Sequence, residues 1–332
     1  MKPTEVRGRF CPSQKRSLRR PNIVTFKRGF HLVYTDSRQW TALDALDILR
    51  EQLTISNDAA FERVSGGIEF EVFRVSARGR DPFIIKFPGT RWIINDNDRD
   101  LDSFQLMDQE RRLIGFSHEH GIPAPRVLAY PEAGSFPVLA MEIIDADDLP
   151  LLAGELGRMT RRLHLLRPPE ISTVAQRGRS PSDVVAQLTV ERLKVVEQLS
   201  GVGGAVPTES TLREMLGPID ADVRLLHMDL RRGNYLSRDG QITGLVDWSN
   251  AMIANPVLEL ARLVEYGEFS NGFAAGYEIT QREAATLSGE AGLACSLYTA
   301  AMLAVVFLSE APDPELAAIK VERVKELLTQ FG

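Results

Sequence analysis

The chain has 332 residues, 44% hydrophobic and 25% charged, a composition that excludes wholesale disorder and a length that suits two lobes closing on a shared cleft. Its formal charge of −6 is uneven: residues 1–30 hold nine Lys or Arg against the one acid Glu5, which leaves −14 on the rest. An acidic body argues against nucleic acid as the main partner, because phosphate neutralisation needs a basic face.

In chain order, residues 1–30 read as a solvated, poorly ordered basic tail. Thr41-Ala-Leu-Asp44 caps a helix running through Leu53, with the Thr41 hydroxyl near the first free amides and Asp44 at their positive end. A different period follows. Phe70, Val72 and Val75 belong to one strand, Gly79-Arg80-Asp81-Pro82 turns the chain, and Phe83-Ile84-Ile85-Lys86-Phe87 returns, which makes an antiparallel β unit. A helix through Glu110, Leu113 and Ile114 ends before Gly121-Ile122-Pro123-Ala124-Pro125, where two prolines forbid further helix. Val127–Tyr130 and Val138–Ile144 supply two more short strands.

From Asp145 the periodicity is mostly helical: Leu156–Leu166, Val184–Leu199, Leu258–Tyr266, Ala291–Leu308 and Glu315–Leu328, with a Gly-rich loop between Leu199 and Val206. Strand-rich chain thus precedes helix-rich chain, which predicts an α+β fold of two lobes, residues 31–144 and 145–332. Ala291–Leu308 approaches the length of a membrane span, but Gly292, Ser296, Tyr298 and Thr299 interrupt it, and it reads as a buried helix, so no membrane is expected. Cys11 and Cys295 form no zinc or disulfide pattern, and no apolar start resembles an export signal; a reducing, cytoplasmic compartment is expected.

The chemistry concentrates between Leu225 and Asp247. Arg238-Asp239-Gly240-Gln241 is a hairpin signal. Two strands joined there bring Asn234, at the start of one, near Asp247, at the end of the other. An amide oxygen and a carboxylate form a hard oxygen site suited to Mg²⁺ bridging substrate phosphates. Asp229, on the preceding loop, is placed to accept a proton from an attacking hydroxyl. Phosphoryl transfer needs this arrangement, since it depends on orienting the nucleophile and neutralising charge.

His227-x-Asp229-x-x-x-x-Asn234, an apolar strand and Asp247-Trp248 together resemble the aminoglycoside phosphotransferase and choline kinase family, over roughly residues 60–270. The resemblance implies a bilobal, protein-kinase-like fold with a small antiparallel sheet in the first lobe and a mainly helical second lobe. It implies Asp229 as catalytic base, Asn234 and Asp247 as Mg²⁺ ligands and His227 as a support of the loop. It also asks for a strand Lys and a helix Glu in the first lobe, met by Lys86 and by Glu110, with Asp108 competing for the second role. Ser65-Gly66-Gly67 falls where a phosphate-covering loop belongs, although Gly-x-Gly-x-x-Gly is absent. Met141, Glu142 and Ile143 stand where the family binds the adenine by main-chain groups.

The resemblance implies ATP or GTP as co-substrate and a small hydroxyl-bearing molecule as acceptor: an antibiotic such as an aminoglycoside, or choline, an amino sugar or homoserine; a catalytically silent nucleotide-binding protein of the same fold is the alternative of another class. Arg231 and Arg232 depart from the family's usual loop and either hold phosphate or an anionic group or are solvated. Asn255-Pro256-Val-Leu-Glu259 has Glu where the family has Asp, with a structural role implied. Glu259, Glu265 and Glu268 lie just past the metal Asp; as acceptor contacts they would favour a cationic substrate, and as a solvated helix face they would not. The protein is read as a monomer or homodimer.

Overall fold

The computed structural model describes residues 40–66, 70–98, 100–131, 136–202 and 205–331. The basic segment 1–30 and Gly67 lie outside them. The first described helix, α1 (Ala42–Leu53), carries the expected capping box: Thr41 Oγ1 accepts from the Asp44 amide, and Asp44 Oδ2 accepts from the Thr41 amide at 3.0 Å. Such a cap contributes about 1 kcal/mol.

Next come β1 (Ala60–Gly66), β2 (Phe70–Ser76) and β3 (Phe83–Pro88), then the two-residue strands β4 (Trp92–Ile93) and β5 (Leu101–Asp102). Helix α2 (Ser103–Glu119), capped by Asp102, leads to β6 (Val127–Ala129) and β7 (Leu139–Glu142). Strands β1, β2, β3, β7 and β6 form, in that order, one antiparallel sheet. The pleat of β3 sorts its side chains. Phe83, Ile85 and Phe87 pack with Trp40, Leu46 and Leu49 of the α1 side, while Ile84 and Lys86, on the opposite face, line a cleft. The alternation therefore places the one ammonium of the strand in the cleft.

The helical lobe contains α3 (Glu155–Leu165), α4 (Pro181–Ser200), α5 (Glu209–Leu216), β8 (Arg224–Leu226), β9 (Tyr235–Arg238), β10 (Gln241–Leu245), β11 (Met252–Ala254), α6 (Val257–Tyr266), α7 (Asn271–Tyr277), α8 (Gln281–Leu287), α9 (Glu290–Val305) and α10 (Pro314–Leu328). The apolar run expected as a buried helix is α9. It sits at the hub of the helical core, against α4, α6 and α10. The short helices α5, α7 and α8 were not expected, because seven or eight residues are too few to show a helical period. Nor were β8 and β11, three-residue strands whose pairing is long-range.

Helices α3 and α7 approach backbone to backbone through Gly157 and Gly276: a Cβ on Gly157 would lie 2.2 Å from the Phe273 carbonyl oxygen, and one on Gly276 2.1 Å from that of Gly154. This contact seats α3, whose His164 reaches the site described next. Gly157→Ala is expected to lower the stability by about 1–3 kcal/mol, the usual cost of overpacking, read from urea unfolding.

Candidate active site

The hairpin through Asp239 and Gly240 forms as its sequence demands. Both turn residues have positive φ, 51° and 75°, and Arg238 pairs directly with Gln241, the two-residue geometry that an Asp-Gly pair favours. The pairing continues to the far end, where the Val246 amide donates to the Asn234 carbonyl at 2.9 Å. Asn234 and Asp247 therefore end neighbouring strands.

The loops that flank the hairpin, before β9 and after β10, are shaped by three unusual backbone positions. Met228 and Asp247 have φ of 64° and 65°, and Gly233, at 109°, lies where only glycine is comfortable. Non-glycine residues held there cost about 1–3 kcal/mol each and persist where surrounding structure over-determines them. Around Met228 that structure is Glu259. Its carboxylate, 1% exposed, accepts the backbone amides of Met228 and of His227 and pairs with His164 Nε2 at 2.7 Å. Burial raises the pKa of Glu259, but His164, His227 and the Met228 amide outweigh it and hold the carboxyl below its ordinary value.

His227 supports the other side of the loop. Its Nδ1 accepts from the Asp229 amide at 3.3 Å, which leaves Nε2–H to donate to the Val246 carbonyl at 3.0 Å. The ring rests on Trp248, 4.4 Å between centroids. Burial, the largest influence, lowers its pKa and keeps the imidazole neutral.

Lys86 joins the lobes. Its Nζ donates to Glu110 Oε2 at 2.6 Å and to Asp247 Oδ1 at 2.9 Å, above the face of Phe70. Burial disfavours its charge, and the two carboxylates more than offset this, so the ammonium is held above the ordinary lysine value. For Asp247 burial raises the pKa, while Lys86 and Ser249 dominate and hold the carboxyl at about 2. Glu110 is thus the helix acid that meets Lys86. Its competitor Asp108 pairs with Arg111 and Arg112 instead.

Asp229 is nearly buried, and every direction around its carboxylate is ordered. Asn234 Nδ2 donates to Oδ2 and, at 3.0 Å, to the Asp229 carbonyl; Arg231 Nε donates to Oδ1 at 3.1 Å; the Tyr266 hydroxyl donates to Oδ1 at 2.7 Å. Asn234 is thereby fixed with its NH₂ toward Asp229, which leaves its oxygen as the free end of the amide.

These groups line a cleft of about 1210 Å³ together with Met141, Glu142 and Ile143 at the end of β7. That exceeds the ~300–1,000 Å³ typical of one drug-sized ligand. The segment holding β4 and β5 spans the cleft to the helical lobe: the Asn97 amide and Nδ2 donate to Glu310 at 2.9 and 3.1 Å, and the Asp100 carbonyl accepts from Arg177 at 2.7 Å. Ser65 and Gly66 close β1, with Gly66 paired to Glu71.

The acids past Asp247 require correction as acceptor contacts. Glu259 is interior and serves the loop. Glu265 borders the cleft, but its carboxylate is held by Arg323 of α10 at 2.9 Å. Glu268 accepts from the Arg232 amide at 3.4 Å. The carboxylates that favoured a cationic acceptor are thus engaged within the protein. Arg231 lines the cleft beside Asp229; Arg232 is exposed and does not line it.

Several residues here were not singled out in the sequence. Gln109, next to Glu110, donates to the Trp248 and Ser249 carbonyls at 2.9 and 3.1 Å and accepts from the Val174 amide. Ser249 donates to Asp247 Oδ1 at 2.9 Å. His164, Arg262 and Tyr266 complete the set. Arg262 and Tyr266 are four apart on α6, the one available signal that they meet.

The model of the phosphotransferase enzyme family (APH) matches residues 60–293. Among solved structures, a thermostable mutant of the aminoglycoside phosphotransferase APH(4)-Ia is similar at 16% identity, over 86% of this chain and 99% of the other, with a TM-score of 0.55. A putative fructosamine-3-kinase from Haemophilus somnus 129PT is similar at 13% identity, over 86% and 95%, with a TM-score of 0.58. The streptomycin–ATP complex of APH(2")-IIa is similar at 15% identity, over 89% and 97%, with a TM-score of 0.53. At such identities these likenesses show the fold. No curated protein sequence matches the chain.

Replacing Glu259 by Gln turns an NH₂ toward amides that need an acceptor; a loss of about 2 kcal/mol in urea unfolding is expected. The pH dependence has a definite sign. Asp247, Glu259 and His227 all titrate lower folded than unfolded, so the stability each contributes is complete above its unfolded pKa and drains as the pH falls toward the folded one. For His227 the loss begins below about pH 6.5. The urea midpoint should fall from about pH 7 to about pH 5, and the slope there should flatten in His227→Gln.

Proposed function

The chain belongs to the phosphotransferase enzyme family, and from that premise we propose that it transfers the γ-phosphoryl group of ATP or GTP to a hydroxyl of a small molecule. The observation that carries this reading is the convergence of Asp229, Asn234, Asp247 and the Lys86–Glu110 pair on one cleft. Asp229 accepts the proton of the attacking hydroxyl. Lys86, fixed by Glu110, presents its charge to the nucleotide phosphates, and the main chain of Met141–Ile143 receives the base.

The donor set suits magnesium bound mainly through phosphate. Asn234 and Asp247 offer hard oxygens, and no group of three or more His, Cys, Asp or Glu that could hold a metal occurs among the described residues; Mg²⁺ commonly takes one or two protein oxygens and completes its octahedron with phosphates and water. When bound, it would neutralise charge on the β- and γ-phosphates.

The volume of the cleft supports a nucleotide and an acceptor held together, and the acceptor is an antibiotic such as an aminoglycoside, with resistance as the consequence, or a metabolite such as choline, an amino sugar or homoserine. The protein then works in the cytoplasm, where its nucleotide is abundant. Mass detection of phosphorylated products from ATP and GTP against such a panel separates these acceptors. Asp229→Ala is expected to reduce turnover by about 10²–10⁴-fold with folding intact; undiminished turnover sinks the reading. Asp247→Asn, which keeps shape but removes the one negative charge that the two ligands offer the cation, should raise the Mg²⁺ concentration needed for half-maximal turnover by about tenfold or more.

A further inference from the structure

The carboxylate proposed as base already holds a hydroxyl. Tyr266 Oη donates to Asp229 Oδ1 at 2.7 Å, the distance and the partner that an attacking alcohol requires. The direction of this bond is unambiguous: Arg262 Nε donates to the same oxygen at 2.9 Å, and a guanidinium cannot accept, so the single phenolic proton points to Asp229. Burial drives the Tyr266 pKa well above the ordinary value, so the phenol keeps that proton. The other carboxylate oxygen, Oδ2, is taken by Asn234 on the side of Asp247. Oδ1 accepts from Tyr266 and, at 3.1 Å, from Arg231 Nε; of these two the neutral phenol, which lines the cleft, is the one an acceptor hydroxyl can replace in kind.

We propose that Tyr266 is a displaceable placeholder for the acceptor hydroxyl, held on Asp229 by Arg262 until an acceptor takes its position. This inference rests on the phosphotransferase reading of the site. Its consequence concerns water. A kinase with bound nucleotide and an empty acceptor site exposes the γ-phosphate to hydrolysis, with water oriented by the same base. A phenol on Oδ1 excludes that water, since Arg231 Nε and the phenol together occupy both lone pairs of that oxygen. An acceptor, anchored elsewhere in the cleft, has binding energy with which to displace the phenol, and water has none. Tyr266 is in this sense a positioning residue that sets specificity for alcohol over water.

The test needs no knowledge of the acceptor. Tyr266→Phe keeps the ring and removes only the hydroxyl, leaving room for a water on Oδ1. With Mg-ATP and no acceptor, phosphate release should rise about tenfold or more, the worth of one charge-assisted hydrogen bond. The Kd for ATP should be unchanged while the melting temperature falls modestly, because the buried Arg262 Nε loses its acceptor; faster release with ATP binding intact is a combination that loss of packing does not produce. In Tyr266→Phe combined with Asp229→Asn the rise should vanish. Unchanged or slower release by Tyr266→Phe, with ATP bound as in the parent protein, overturns the proposal. So does mass-spectrometric detection of phosphate on Tyr266, which would make the phenol an acceptor in its own right. Failure of both proteins to bind Mg-ATP sinks the phosphotransferase reading itself, and the placeholder with it.

Discussion

One ammonium holds the site together. Lys86 comes from the central strand of the sheet, Glu110 from the helix behind it, and Asp247 from the end of a hairpin in the helical lobe, and their three charges meet in one pair of hydrogen bonds. The trio holds one positive and two negative charges, so removing Lys86 leaves two neighbouring carboxylates uncompensated, which costs more than the pairs contribute. Because the ions come from three separate elements, their meeting fixes the sheet, α2 and the β9–β10 hairpin relative to one another, and the cleft between them inherits that geometry. The ammonium is also prepared for anions: phosphate oxygens that approach Lys86 meet a charge already desolvated and oriented.

The second requirement is a loop bent where unaided backbone would not stay. Met228 and Asp247 are held at positive φ, and the groups that hold them are interior polar ones. Glu259 accepts amides of His227 and Met228 and is itself held by His164, which Tyr277 also contacts at 2.9 Å. Gln109 grips the carbonyls that follow Asp247. The glycine contact between α3 and α7 belongs to the same construction, because the helix carrying His164 can reach Glu259 only when it lies close. The loop of Asp229 and the helical core are therefore linked by a continuous line of hydrogen bonds and not by apolar packing alone.

Much of this was legible in the chain. Asp229, Asn234 and Asp247 lie within one loop and one hairpin, so spacing and a turn signal were enough to bring them together. Lys86 was legible through the family resemblance, which asks for a lysine on that strand. The helix acid was not decided there: Asp108 and Glu110 are two residues apart, on different faces of α2, and which face meets β3 is a matter of packing. The acids on and just past α6 were left undecided for a related reason. Charge counts treat Glu259, Glu265 and Glu268 as a field, whereas their partners, His164, Arg323 and the Arg232 amide, come from elements distant in sequence. Tyr266 and Arg262 were invisible for the same cause: a tyrosine at the end of an amphipathic helix carries no mark of the carboxylate it will meet.

The segment between β3 and α2 gives the cleft a mechanical character. It leaves the strand of Lys86, touches the helical lobe through Asn97 and Asp100, and returns as the helix of Glu110. The lobes are thus tied on both rims, by the chain that follows β7 and by this non-covalent bridge facing it. Spreading the lobes on the side of the bridge must first part Asn97 from Glu310, and the strain of doing so falls on the two elements that hold the Lys86–Glu110 pair. Ligand exchange and the integrity of the ion pair are consequently coupled, and the frequency with which the bridge lets go sets an upper bound on how often that rim can open to exchange ligand.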